Sequence, residues 1–154
     1  METEKNTTDL STIHHLLVDS RMGYLEASER VEDPRTKELL ASFGRERAQL
    51  EAEVDTLLKQ VEPDAKHRDG GTLKGDLHRA WIDLRDPLSK SENANVLLEC
   101  ERGEGFLLMR YDDVLEQKDP APATRSLAER QRDQVRANVA RMKTLRKEFE
   151  KIGS

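Results

Sequence analysis

The sequence predicts an all-α protein, a ferritin-like four-helix bundle with one long crossover that contains a short extra helix. Its 154 residues are 37% charged and only 4% aromatic, with eight glycines and five prolines. That composition disfavours β-sandwiches, β-barrels and low-complexity chains. The apolar residues recur at spacings of three and four, which is the period of an amphipathic helix. Two short breaks containing proline and one long polar break divide the periodic segments into two pairs.

Two long helices form the first predicted hairpin. Residues 8–32 carry the first periodic run, whose apolar seam includes Leu17 and Tyr24. Asp33 and Pro34 follow as a helix N-cap and a proline at the first helical position. The second helix then runs to about Val61. Because the connection is so short, the two helices are expected to be antiparallel.

The second half of the chain repeats this plan after a long connection. Residues 62–71 are polar and contain proline and glycine, and a short helix is predicted over about 72–86. The third long helix covers about 91–117. A break with two prolines follows at 119–122, and the fourth long helix runs to about Lys151. Two hairpins joined by one long crossover give the ferritin-like topology.

These elements predict one domain over residues 8–151, preceded by a polar tail over residues 1–7. The tail lacks the basic and apolar regions of a signal peptide, and the longest apolar run, 106–109, is far too short to span a membrane. Because Cys100 is the single cysteine, neither an intramolecular disulfide nor a zinc site of several cysteines can form. The expected location is therefore the cytoplasm, with no membrane partner.

The distribution of charge bears on the choice of partner. A net charge of −5 disfavours nucleic acid as the main partner, yet residues 125–151 carry nine Lys and Arg against four Asp and Glu. This basic helix is expected to contact the acidic helices of the same or another subunit. Contact with nucleic acid or an anionic surface is the alternative, although no aromatic residues interleave with the basic stripe for base stacking. No small-molecule substrate is indicated, since the sequence has neither a phosphate-binding glycine loop nor a nucleophile–His–acid pattern.

The most informative anomaly is a pair of acidic residues on the apolar face of the third long helix. Glu104 lies seven residues from both Leu97 and Tyr111, at the centre of the apolar stripe, and Glu101 lies on the same face. Arg47 takes a similar position on the second helix. A buried carboxylate must be paired, hydrogen-bonded, protonated or bound to a metal. Symmetric pairing of the helices within each hairpin predicts a polar layer at mid-height of the bundle: Ser20, Arg47, Glu101, Glu104 and Asn138.

Two interpretations of this layer are open. One is a carboxylate-bridged iron or manganese site with Glu101 and Glu104 as ligands, completed by Glu46 or Glu26. Ferritin-like di-iron sites also take a Glu-x-x-His motif from each of two helices, and this sequence contains no such motif. The other interpretation is a buried Arg–Glu network without a cofactor, in which Arg47 stands where a metal would lie and fixes the helix register. The missing histidines favour the second interpretation.

Two segments carry a resemblance to a known family. GTLKGDLHRAWIDL at 71–84 and ECERGE at 99–104 resemble a bacterial family of ferritin-like four-helix-bundle proteins that is classed as a domain of unknown function. The resemblance covers about residues 8–150. It implies the ferritin-like fold, a cytoplasmic bacterial setting and a link to stress responses. Kinship with ferritins also implies iron, and this implication extends only to Glu101 and Glu104.

At two positions the sequence departs from that resemblance. Gly105 stands where family members often have an acidic residue, and Val139 stands where histidine is frequent. Both departures remove potential metal ligands. The sequence therefore predicts a non-catalytic bundle without a cofactor, one that self-associates as a dimer or larger homo-oligomer.

Overall fold

The computed structural model describes residues 2–61, 93–117 and 120–151. Within them the chain forms four helices and no strand, which confirms the predicted all-helical fold. The helices are α1 (Glu2–Arg30), α2 (Pro34–Val61), α3 (Asn93–Glu116) and α4 (Pro122–Lys151). The predicted short helix over 72–86, and with it the 71–84 segment of the family resemblance, lies outside the described residues.

The first hairpin turns where the sequence predicts it. The Asp33 carboxylate accepts a hydrogen bond from the backbone N–H of Thr36 at 2.9 Å, and the Asp33 carbonyl accepts one from the N–H of Lys37, also at 2.9 Å. Asp33 is therefore the N-cap of α2, with Pro34 in the first turn. The start of α1 differs from the prediction, because α1 begins at Glu2 and includes the residues predicted as a tail.

Contacts between helices define their directions. Asp9, early in α1, contacts Gln117 just beyond α3, so α1 and α3 are antiparallel. Arg35 at the start of α2 pairs with Glu148 near the end of α4 at 2.9 Å, so α2 and α4 are antiparallel as well. Each hairpin is itself antiparallel, so α2 and α3 run in the same direction. The end of α2 and the start of α3 therefore lie at opposite ends of the bundle.

The four helices surround one core. α1 packs against α2 and α3, and α4 packs against the same two helices. All four contribute to a single cluster of buried apolar side chains, including Leu17, Phe43, Leu107 and Val135. No helix in the described part of the chain is long and apolar enough to cross a membrane. Several polar and charged side chains, Arg47 and Glu104 among them, are buried within this apolar core.

Candidate functional site

An ion pair lies at the centre of the bundle. Arg47 on α2 and Glu104 on α3 have side chains that are 0% and 1% exposed, and Arg47 Nη2 lies 2.6 Å from Glu104 Oε2. Each occupies an apolar seam of its helix, Arg47 between Phe43 and Leu50. A buried charge without a partner is very costly, so each of these groups depends on the other.

Tyr24 on α1 completes the cluster. Its hydroxyl donates a hydrogen bond to Glu104 Oε1, so each carboxylate oxygen accepts from a different helix. The Tyr24 ring also lies 5.5 Å from the Arg47 guanidinium and 5.5 Å from the Phe43 ring, measured to the ring centroids. Burial and then the nearby Glu104 charge raise the pKa of Tyr24 well above its usual value, so the hydroxyl stays a donor. We call Tyr24, Arg47 and Glu104 the central cluster.

Arg47 stays charged in this apolar setting. Burial lowers its pKa and is the largest single effect. The charge of Glu104 and its hydrogen bond, together with the neighbouring Tyr24 and Tyr111, outweigh burial, so the pKa of Arg47 is raised above its ordinary value. Two of its nitrogens, Nε and Nη1, have no hydrogen-bond partner within the described structure. Unsatisfied buried donors destabilise a fold, so the central cluster adds less stability than its short contacts suggest.

A second buried polar pair lies nearer the α3–α4 turn. The Tyr111 hydroxyl donates to Gln131 Oε1 at 2.7 Å, and Gln131 Nε2 donates to the Leu50 carbonyl at 3.2 Å. These bonds link α3, α4 and α2. Burial raises the pKa of Tyr111 as well, so this hydroxyl is neutral at ordinary pH.

The structure places Glu101 away from the central cluster. Both of its carboxylate oxygens accept hydrogen bonds from the Arg146 guanidinium on α4, one of them from Nη2 at 3.2 Å. Symmetric pairing about Asp119 predicts Asn138 as the neighbour of Glu101, whereas Arg146 lies about two helical turns further along α4. The reach of the long arginine side chain and the offset between the two helices produce this difference.

The other predicted site residues have partners outside the central cluster. Asn138 is buried and its Nδ2 donates to Glu46 Oε1 at 3.2 Å. Ser20 is also buried, and its hydroxyl donates to the Leu17 carbonyl of its own helix at 3.0 Å. Glu26 forms an ion pair with Arg30, one turn on, at 3.1 Å.

This donor set does not fit a carboxylate-bridged metal. Among the described residues, no group of three or more His, Cys, Asp and Glu side chains could hold a metal ion. Tyr24 and Arg47 occupy the two oxygens of Glu104, and Arg146 occupies those of Glu101. A guanidinium lies where a bridging cation would have to lie, and it cannot give up its charge.

Cys100 is unsuited to nucleophilic chemistry. Its side chain is fully buried, one helical turn before Glu104. Burial, followed by the Glu104 charge, raises the pKa of the Cys100 thiol far above its usual value. Because the thiolate is the reactive form, this cysteine packs as a small apolar side chain.

The basic helix α4 pairs in part with acidic residues of its own subunit. Arg132 reaches Asp112 of α3 at 3.3 Å, and Arg130 reaches Glu53 of α2 at 2.6 Å. The intramolecular contact predicted from the charge distribution is therefore present in the structure.

Two residues of these hydrogen-bond networks, Tyr24 and Arg146, are not among the site residues predicted from the sequence. Tyr24 lies on the apolar seam predicted for the first helix, where its ring alone accounts for its position. Arg146 is not among the buried residues of α4. A signal existed for Tyr24, since a buried tyrosine hydroxyl usually needs a polar partner. No comparable signal marked Arg146, whose partner depends on the α3–α4 register.

The four helices of the described residues and the site between them define a helical bundle with an ion-paired, hydrogen-bonded centre. The chain belongs to the DUF2383 family, described as a domain of unknown function, whose family model matches residues 5–117. That match covers the three members of the central cluster and ends just after α3, so α4 follows it. It confirms the expectation of a domain of unknown function. No curated protein matches the chain.

Proposed function

We propose that the protein is a non-catalytic, self-associating structural subunit with a ferritin-like bundle whose centre is closed by an ion pair. The helix directions support the ferritin-like topology, because α2 and α3 are parallel and one long connection must join them. The proposal includes the cytoplasmic setting and the link to stress responses that the family resemblance implies.

The observation that carries this proposal is the Arg47–Glu104 pair. In ferritin-like metal proteins carboxylates from several helices converge on the bundle centre to bind cations. Here a side-chain cation takes that place, at 2.6 Å from Glu104 Oε2 and fully buried. The pair links α2 to α3 across the centre of the bundle, and Tyr24 ties α1 to the same carboxylate. Such a cluster specifies one packing arrangement more than it adds stability.

Metal loading tests whether the Arg47–Glu104 ion pair at the centre of the bundle excludes a metal ion. Purified protein is incubated anaerobically with Fe(II) or Mn(II), desalted and subjected to elemental analysis, together with the Glu104→Ala variant. We expect both proteins to retain only trace metal, equal to that of Glu38→Ala, which removes an exposed carboxylate on α2.

Stoichiometric metal in the wild type that is lost only in Glu104→Ala would overturn the proposal. It would establish the carboxylate-based iron or manganese site in its place, and variants of Glu101, Glu46 and Glu26 would then identify the remaining ligands.

A further inference from the structure

We propose that copies of this chain associate head to tail, with the α1–α3 face of one copy seated on the α2–α4 groove of the next. This inference rests on the self-association in the proposed function and names the two surfaces that carry it. Three observations support it: the separation of charge between the two faces, the placement of exposed apolar side chains, and the groove itself.

Charge separates the two faces of the bundle. α1 carries six acidic and three basic residues, and α3 carries six acidic residues and two arginines. On the opposite side, α4 carries nine basic and four acidic residues, while α2 is balanced with five of each. Glu104 and Arg47 lie in the core and contribute no surface charge. Because α1 packs beside α3 and α2 packs beside α4, the remaining charges make one face of the molecule acidic and the opposite face basic.

The exposed apolar side chains lie on α1 and α3, the two helices that form the acidic face. Every large apolar side chain that is exposed in the described part of the chain lies on α1 or α3, and none lies on α2 or α4. Met22, Phe106 and Met109 are 52%, 37% and 59% exposed. The contact between Tyr24 and Glu104 sets the antiparallel register and brings Met22 to the level of Phe106. Apolar side chains grouped on one face are typical of an interaction surface.

A groove on the basic face offers a complementary surface. It lies between α2 and α4 and has a volume of about 420 Å³. Leu39 and Leu145 are among its apolar lining, and its charged lining is Arg35, Arg141 and Glu148. The two guanidiniums stack on aromatic rings, that of Arg141 at 5.4 Å from the Phe43 centroid. Arg35 pairs with Glu148, whereas Arg141 forms no ion pair with any described residue. The groove therefore combines apolar lining with an available cation.

These properties favour an unlike-face contact over a symmetric one. Two acidic faces would repel each other, as would two basic faces, whereas an acidic face and a basic groove attract. A contact between different surfaces is heterologous, so each copy that joins still has one surface free to bind another copy until a ring closes. It therefore builds rings or filaments from copies of a single chain.

Sedimentation velocity of two single variants tests this arrangement. Arg141→Glu alters the groove and Phe106→Ser alters the acidic face, and circular dichroism checks that each variant folds. The wild type is expected to associate at about 50 mM NaCl and to dissociate largely at about 500 mM, where charges are screened. Each variant should associate at least tenfold more weakly than the wild type. Arg136→Glu, which changes the same charge on α4 at an exposed arginine outside the groove, should keep near-wild-type association.

Mixing the two variants gives the decisive result. Arg141→Glu retains an intact acidic face and Phe106→Ser an intact groove, so a mixture should form a one-to-one heterodimer that neither variant forms alone. A symmetric interface predicts no such recovery. If Arg141→Glu does not fold, Arg141→Gln replaces it in the same mixture.

The unfavourable outcomes separate the two claims. If both variants associate as strongly as the wild type, or if the two variants do not associate with each other on mixing, the head-to-tail contact is overturned and self-association still stands. A wild type that is monomeric at low salt would overturn both the contact and the self-association, while the metal-loading experiment still decides the closed centre.

Discussion

At the scale of single residues, the buried charges of Arg47 and Glu104 depend on each other. Glu104 accepts one hydrogen bond from Tyr24 and one from Arg47, and neither charge reaches solvent. Desolvation of two ions cancels much of their attraction, so the intact pair contributes little net stability. Removal of one partner has a different effect, because it leaves the other charge buried and unpaired.

Replacement of Arg47 by alanine is therefore expected to lower the free energy of unfolding by about 3–5 kcal/mol. Urea denaturation followed by circular dichroism measures this change. The matched control is Arg45→Ala, since Arg45 is an exposed arginine of the same helix, 63% exposed in its pair with Glu38. It should change stability by less than about 0.5 kcal/mol.

The double variant Arg47→Met with Glu104→Leu separates pairing from packing. It removes both charges and keeps apolar bulk, so it should recover most of the stability lost in Arg47→Ala. A loss of less than about 0.5 kcal/mol in Arg47→Ala itself would contradict the dependence of Glu104 on this guanidinium.

The sequence could predict two of the three members of the central cluster. Seven-residue spacing reveals Glu104 among apolar neighbours, and Arg47 interrupts the seam of α2 in the same way. Tyr24 was predicted only as an apolar seam residue, because its position in the heptad does not show which group accepts the hydrogen bond of its hydroxyl. The partner of Glu101 could not be predicted either, since the long side chain of Arg146 extends from α4 to reach Glu101 on α3.

At the scale of helices, ends are more predictable than pairing register. Asp33 followed by proline marks the start of α2 because capping is a local property of the backbone. The register of α3 against α4 depends instead on side-chain packing along the whole hairpin. Pairing about Asp119 therefore places Glu101 beside the wrong residue of α4, although it predicts the antiparallel hairpin.

Glycines within helices offer a test of local packing. An alanine Cβ at Gly105 would have no neighbouring atom within 4 Å, whereas one at Gly44 would lie 2.8 Å from Leu25 Cδ2. Gly105→Ala is expected to stabilise the protein by about 1 kcal/mol, because alanine loses less backbone entropy than glycine in a helix. Thermal unfolding should show a midpoint about 2–4 °C higher.

Gly44→Ala is the matched comparison for this substitution. It gains the same helix propensity but must displace the Leu25 side chain, which is 38% exposed. Its midpoint should rise less than that of Gly105→Ala. A lower midpoint of thermal unfolding for Gly105→Ala than for the wild type would contradict the absence of neighbouring atoms around a Cβ at this position.

At the scale of the whole molecule, three buried acids make stability depend on alkaline pH. Burial raises the pKa of Cys100, Tyr24 and Tyr111 in the folded state. In the unfolded chain a cysteine ionises near pH 8.5 and a tyrosine near about pH 10. Between these values and the higher folded pKa values, the folded state binds more protons than the unfolded state. Stability is therefore complete below about pH 8 and falls as pH rises.

Urea denaturation at pH 7, 8.5 and 10 should show this loss, with a limiting slope of about 1.4 kcal/mol per pH unit for each ionising group. Cys100→Ala removes the group that ionises first, so its stability should fall less between pH 8.5 and 10 than that of the wild type. Equal stability of the wild type at pH 7 and pH 10 would contradict the burial of these three groups.

The directions of the helices also determine how the molecule bears mechanical load. α1 begins beside the end of α3, and α4 ends beside the start of α2, so Glu2 and Lys151 lie at opposite ends of the bundle. α2 has 28 residues, which corresponds to a length of about 42 Å. Tension applied between the two chain ends therefore runs parallel to the helix axes and makes neighbouring helices slide rather than peel apart. The ion pair between Arg47 and Glu104 joins α2 to α3 near the middle of both helices, so in a stretched molecule it resists the sliding of these helices past each other.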